Sequence, residues 1–109
     1  MGDEERGDPQ VSMLNDLVAY QEGSVVSRQL VRKPAGNVTM FAFAAGEGLS
    51  EHTAPFDALV VVTEGTAAVT IDGEPYAVGA GESLRMPAHR PPALHADQPF
   101  KMMLVMIRA

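Results

Sequence analysis

The sequence predicts an all-β domain, a sandwich or barrel of about seven or eight short strands, with one short helix ahead of it. Three observations support this class. Short apolar runs rich in β-branched residues recur along the chain, and residues 59–63 form the clearest one. Turn-forming residues separate these runs, and Asp72-Gly73 is a strong hairpin signal because both turn positions require a positive φ. The length of 109 residues allows one well-buried core and therefore one domain.

The amino-terminal part of the chain is predicted to hold a tail and a helix. Residues 1–9 carry four acidic residues against one arginine and end in a proline, which is typical of a disordered or loosely attached segment. We therefore divide the chain into a disordered acidic tail, residues 1–10, and a single domain, residues 11–109. Apolar residues recur at helical spacing between residues 12 and 20, with Ser12 as a candidate cap. This spacing predicts one short helix that lies against the barrel.

Strand-like runs follow the helix in regular succession. They are predicted at residues 24–31, 38–45, 59–63, 67–71, 74–78, 83–86, 93–96 and 100–107. In the last run, one face holds Phe100, Met102, Leu104 and Met106, because side chains alternate along a strand. The run 38–45 shows no such alternation, which indicates burial on both faces. One face would line a barrel interior, and the other would meet a second sheet or a second subunit.

Charge and composition exclude several classes of function. The net charge is −6, and the main basic cluster is Arg28, Arg32 and Lys33, so we expect no nucleic-acid partner. The chain has no cysteine, which excludes disulfides, thiolate metal ligands and a cysteine nucleophile. No apolar run approaches the roughly 18 residues that a membrane span needs, so we expect no membrane partner. The acidic start lacks the basic region and apolar stretch of a signal peptide, so we expect a cytoplasmic protein.

Residues 46–65 have the spacing of a known motif. Gly46, His52 and Gly65 stand at its fixed positions. The stretch resembles the first motif of the cupin superfamily, which also contains a second histidine and a glutamate. In this chain those two positions hold Ala54 and Ala58.

A second cupin-like frame follows after the predicted hairpin. Gly81 and Pro87 match the second motif of the family, whose later glycine, histidine and asparagine are replaced here by His89, Pro92 and Ala96. The resemblance covers residues 38–107. It implies a double-stranded β-helix, which is a jelly-roll barrel, and it implies a homodimer, because small cupins commonly pair.

The resemblance also bears on metal binding. Metal-binding cupins hold the ion with the two histidines and the glutamate of the first motif and the histidine of the second. The corresponding set in this chain is His52, Ala54, Ala58 and Pro92. One ligand does not make a site, since at least three imidazole or carboxylate groups are normally needed to hold Fe, Mn, Ni or Zn. We therefore expect no metal cofactor.

Neighbouring residues offer an alternative metal set. It would combine His52 with Asp57 and with His89 or His95. Strand alternation turns Asp57 away from the face of the lost glutamate unless the break at Pro55 reverses the phase. With such a set, the chain would be a metal-dependent cupin enzyme of the dioxygenase or isomerase type.

The sequence favours a binding protein over an enzyme. No catalytic group is assigned, and loss of the coordinating side chains would leave an apolar barrel mouth suited to a small, mostly apolar molecule. We expect His52 to be the polar anchor of this ligand pocket, with apolar walls at Met40, Val60, Val62, Met86 and Met102. A structural or regulatory dimer with a filled barrel is the remaining alternative.

Overall fold

The computed structural model describes residues 8–50 and 55–109. These residues contain nine strands in two antiparallel sheets, with strand order β1-β2-β9-β4-β7 in the larger sheet and β3-β8-β5-β6 in the smaller one. The strands are β1 Val25–Lys33, β2 Gly36–Phe43, β3 Gly48–Ser50, β4 Phe56–Glu64, β5 Thr66–Ile71, β6 Glu74–Gly79, β7 Ser83–Met86, β8 Pro92–His95 and β9 Phe100–Arg108. The predicted all-β jelly-roll class is confirmed.

Turn residues form the hairpin where the sequence predicts it. β5 and β6 pair from Thr66 opposite Gly79 to Ile71 opposite Glu74. Asp72 and Gly73 join them with φ values of 54° and 79°. These are the left-handed conformations that a tight two-residue hairpin requires.

No helix in the described ranges is long enough and apolar enough to cross a membrane.

The amino-terminal segment is less helical than its spacing predicts. One 3-10 turn, Leu14–Asp16, replaces the expected helix, and no side chain caps its start. A helix so short gains little because its first turn is costly to nucleate, so packing decides the conformation. Val18 is buried with Met40 and Ala42 on the outer face of the larger sheet. Most of the predicted acidic tail, residues 1–7, lies outside the described residues.

Polar contacts also hold this segment on the sheet. Lys101 Nζ donates to the carbonyl oxygen of Asn15 at 2.6 Å and lies 5.0 Å from the centre of the Tyr20 ring. The Tyr20 hydroxyl donates to Glu64 Oε2 at 2.5 Å. Burial raises the pKa of Tyr20 well above its ordinary value, and the Glu64 carboxylate adds to the shift. The sequence predicts burial of both faces of the run 38–45, and contact with the amino-terminal segment buries the outer one.

The main core fills one end of the space between the two sheets. Its largest members are Phe43 on β2 and Phe100 on β9, whose rings stack with centroids 4.5 Å apart. Residues of both sheets pack around them, among them Val60, Val62, Ala67, Val69 and Leu94. We call this the closed end of the barrel. At the opposite end, the same strands leave the space between the sheets unfilled.

Candidate functional site

A cavity of about 180 Å³ lies at this unfilled end, which we call the open end of the barrel. Strands of both sheets and the corner between β7 and β8 line it. The larger sheet contributes Phe41, Phe56, Met102, Leu104 and Met106, and the smaller sheet contributes Leu49 and Leu94. The walls are therefore mostly apolar, as is common for small-molecule sites.

Strand alternation explains why these residues face inward. On β9, Met102 and Leu104 line the cavity, while Met103 between them packs on the outer face with Met40 and Ala42. On β2, Phe41 lies at the boundary between cavity and core, with its ring centroid 5.9 Å from that of Phe43. The inward-facing side chains of each strand thus pack in the core at the closed end and line the cavity at the open end.

The cavity contains two of the four positions at which the cupin motifs place metal ligands, and the other two, residues 52 and 54, lie outside the described residues. Ala58, at the position of the family glutamate, lines it and lies directly between Met86 on β7 and Met106 on β9. Pro92, at the position of the second-motif histidine, lines the opposite wall on β8. Neither side chain carries a donor atom. The residues at these two positions therefore do not fit a metal ion, and thioethers rather than carboxylates surround Ala58.

Of the alternative metal set, the structure describes Asp57, His89 and His95, whereas His52 lies outside the described residues. Asp57 lies on the outer face of β4, and its Oδ1 accepts a hydrogen bond from the backbone N–H of Ala88 at 3.0 Å. This carboxylate braces the corner after β7 and does not line the cavity. Within residues 8–50 and 55–109, no group of three or more His, Cys, Asp or Glu side chains is placed to hold an ion.

The three histidines have different positions. His52, the predicted polar anchor, lies outside the described residues, so that role stays a prediction. His89 lines the cavity and adopts a φ of 66° at the position of a family glycine. His95 is exposed, with its Nε2 3.3 Å from Asp97 Oδ1.

The predicted wall residues are divided among three places. Met86 and Met102 line the cavity. Val60 and Val62 face inward as expected, but they are buried in the core of the closed end. Met40 points to the opposite face of β2 and packs under the amino-terminal segment, so the expectation that it forms cavity wall is corrected. The run 38–45 is apolar on both faces, and its phase cannot be read from periodicity.

Arg90 is the functional candidate that sequence reasoning missed. It lines the cavity beside His89, and its Nε donates to Oδ2 of Asp72 in the β5–β6 turn at 2.6 Å. Asn37 and Thr39 add polar atoms on the β2 wall. A single arginine in a proline-rich corner has no periodic neighbours, so the sequence gives no signal that it faces a cavity.

The fold and the site together define an antiparallel jelly-roll barrel with an apolar cavity at its open end. This chain belongs to the cupin superfamily: the model of the Cupin domain family matches residues 39–107. The resemblance drawn from the two motifs is confirmed. A search of curated protein sequences gives no match.

Solved structures resemble this chain over most of its length. A conserved protein of unknown function from Streptococcus pyogenes, SPY1581, is 34% identical, with a TM-score of 0.88 over 94% of this chain and 90% of that one. A cupin superfamily protein from Desulfitobacterium hafniense is 27% identical, with a TM-score of 0.85 over 93% and 94% of the two chains. A cupin 2 conserved barrel domain protein from Leptotrichia buccalis is 42% identical, with a TM-score of 0.82, over 86% of this chain and 46% of that one.

Proposed function

We propose that this chain binds a small, mostly apolar organic molecule in the open end of its barrel, without a metal ion. The observation that carries the proposal is the replacement of two ligand positions by Ala58 and Pro92 within a mostly apolar cavity of about 180 Å³. Removing a carboxylate and an imidazole from a barrel mouth lowers its affinity for ions and raises its affinity for apolar groups.

The size of the cavity limits the size of its occupant. A dry apolar cavity of about 150 Å³ is known to accept benzene. A molecule with one ring and a short substituent therefore matches this cavity, and benzyl alcohol is a suitable neutral probe. If each heavy atom of benzyl alcohol contributes about 0.6 kcal/mol of binding free energy, the expected dissociation constant is on the order of 0.1–1 mM.

The proposal is tested by a ligand-observed NMR titration of benzyl alcohol. Ala58→Met places a long side chain in the cavity between Met86 and Met106, so we expect at least roughly tenfold weaker binding, with unchanged or higher thermal stability because the side chain fills empty space. The matched control is Ala77→Met on the exposed side of β6, which should bind as the wild type does. Absence of saturable binding, or equal binding by the Ala58→Met variant, would contradict the proposal.

Metal analysis tests the second part of the proposal. Purified protein is incubated with Fe, Mn, Ni and Zn salts, desalted and assayed for bound metal. We expect far less than one ion per chain. Stoichiometric metal that is lost in His52→Ala would instead support the metal-dependent enzyme of the dioxygenase or isomerase type.

We also propose that the chain pairs with a second copy through the outer face of the larger sheet. A row of four apolar residues crosses this face from strand to strand: Val31, Val38, Val105 and Leu59. Val31 and Leu59 are 46% and 37% exposed, and Ile107 beside the row is 60% exposed. The amino-terminal segment covers Met40 and Ala42 on this face. An exposed apolar row of this kind suits a symmetric contact with its own copy.

Light scattering tests the dimer. We expect a mass of about twice 11.6 kDa for the wild type and a mass near 11.6 kDa for Leu59→Asp. The control is Tyr76→Asp, which changes a side chain of similar exposure on the smaller sheet and should stay dimeric. A monomeric wild type would contradict this proposal and would leave the cavity proposal intact.

A cytoplasmic location remains part of the proposal. An acidic chain without cysteine suits a reducing compartment, where disulfides give no stability. Cell fractionation that recovers the protein outside the cytoplasm would contradict it.

A further inference from the structure

The charged groups around the cavity differ in sign from the chain as a whole. The chain has a net charge of −6. In the part of the chain that the structure describes, the cavity lining nevertheless includes no aspartate or glutamate, and its ionisable side chains are His89 and Arg90. Both lie in the corner between β7 and β8. The mouth of the cavity thus has basic side chains next to apolar walls.

Arg90 is held in place and still has donors to offer. Its Nε donates to Asp72 Oδ2, and the two side chains are about half exposed, at 48% and 50%. A guanidinium has four further N–H donors on its two terminal nitrogens. The ion pair orients the arginine, which lowers the entropic cost of engaging a second acceptor.

A carboxylate is the group that best matches this arrangement. A guanidinium binds a carboxylate through two parallel hydrogen bonds, and such charge-assisted bonds are stronger than neutral ones. Because Arg90 is half exposed, a carboxylate at the mouth keeps part of its hydration and avoids the full cost of burial. The apolar part of the same molecule would occupy the space beside Ala58, Met86 and Met106.

We infer that the ligand is a small organic acid, with one ring or a branched apolar chain inside the barrel and its carboxylate at Arg90 beside His89. This inference rests on the proposed function and specifies the chemical class of its ligand. The negative charge of Asp72 opposes the binding of an anion at the same arginine, so removal of this charge should strengthen the binding of the acid.

The test compares three probes of similar size: benzoate, benzyl alcohol and benzylamine. For the wild-type protein we expect benzoate to bind about tenfold more tightly than benzyl alcohol, and benzylamine to bind more weakly than either. Two variants should move benzoate affinity in opposite directions. Arg90→Gln should weaken it about tenfold, and Asp72→Asn should tighten it about two- to fivefold, while benzyl alcohol binding stays unchanged in both.

Arg85→Gln is the matched control, because Arg85 is exposed on the outer face of β7 and does not line the cavity. It should leave the affinities for all probes unchanged. Equal binding of benzoate and benzyl alcohol, or equal loss of benzoate affinity in the Arg85 and Arg90 variants, would overturn the inference while the proposed function stands. Failure of every probe to bind would overturn both. Asp72→Asn keeps a side-chain oxygen that can accept from Arg90 Nε and tolerates the positive φ of 54°, so a lower benzoate affinity in that variant would also count against the inference.

Discussion

The two ends of the barrel use the same strands for different purposes. At the closed end, Phe43 and Phe100 are fully buried and stack against each other. Phe41, two residues before Phe43 on β2, borders the cavity. Along β9 the inner face continues from Phe100 to half-buried Leu104 and Met106. The closed end thus supplies packing, and the open end leaves about 180 Å³ unfilled.

This difference shows how a small barrel combines stability with binding. Aromatic stacking and close packing at the closed end bury most of the apolar side chains, so the open end tolerates small side chains and unfilled space. At this open end, two motif positions hold Ala58 and Pro92, and both residues line the cavity. Substitutions at the closed end should therefore affect stability, and substitutions at the open end should affect ligand binding first.

The largest expected effect comes from truncating one side chain at each end of β9. Phe100→Ala removes a fully buried ring and should lower the free energy of unfolding by about 3–5 kcal/mol. Met106→Ala enlarges a space that is already open and should cost roughly 1–2 kcal/mol. Urea denaturation measures both. Equal losses would mean that the two ends are packed alike, contrary to the comparison.

Two glycines provide the next comparison between the ends. Gly65 joins β4 to β5 near Phe100 with a φ of 77°, and an added Cβ would lie 2.5 Å from the carbonyl oxygen of Pro99. Gly73 in the hairpin has a φ of 79° with open space around it. Gly73→Ala should cost about 1–2 kcal/mol for the left-handed conformation alone. Gly65→Ala should cost roughly 1–3 kcal/mol more, because the backbone must shift to relieve the clash.

Thermal and urea denaturation of the two alanine variants provide the measurement. Similar costs at Gly65 and Gly73 would show that the closed end yields as easily as an exposed turn. That outcome would contradict the account of a tightly packed closed end.

The smallest expected effect concerns the contact between the amino-terminal segment and the sheet. Tyr20→Phe removes the hydrogen bond to Glu64 and should lower stability by about 1 kcal/mol at neutral pH. The raised pKa of Tyr20 means that the folded protein holds the phenolic proton more tightly than the unfolded chain does. This contribution is fully present below about pH 10 and is lost as the pH rises above that value.

The measurement is the free energy of unfolding between pH 8 and about pH 11. The wild type should lose stability more steeply over this interval than Tyr20→Phe does. Tyr76→Phe on the smaller sheet is the control and should follow the wild-type curve. Parallel curves for wild type and Tyr20→Phe would contradict the assignment of the pH dependence to Tyr20.

Regular patterns in the sequence predicted much of the fold. The hairpin at Asp72-Gly73 and the alternation along β9 follow from local geometry, and both are present. The helix predicted between residues 12 and 20 is one 3-10 turn, because contacts of Val18 with the sheet outweigh a weak local preference. Local spacing alone could not reveal those contacts.

The site was less predictable than the fold. The family frame correctly placed Ala58 and Pro92 in one cavity, since motif positions carry information about register. Met40 was assigned to the wrong face because β2 is apolar on both sides. Arg90 was missed because its position at the mouth depends on the corner and on Asp72, which is distant in sequence.

The most direct test of the cavity account is a spectrum of the protein with 13C-labelled methionine methyl groups, recorded as benzyl alcohol is added. Met86, Met102 and Met106 line the cavity, whereas Met40 and Met103 pack on the outer face of the same sheet and serve as internal controls. The account predicts saturable shifts of the first three methyl signals and unchanged signals from the other two. Shifts of Met40 and Met103 that match those of the cavity methionines, or no saturable shift at all, would contradict it.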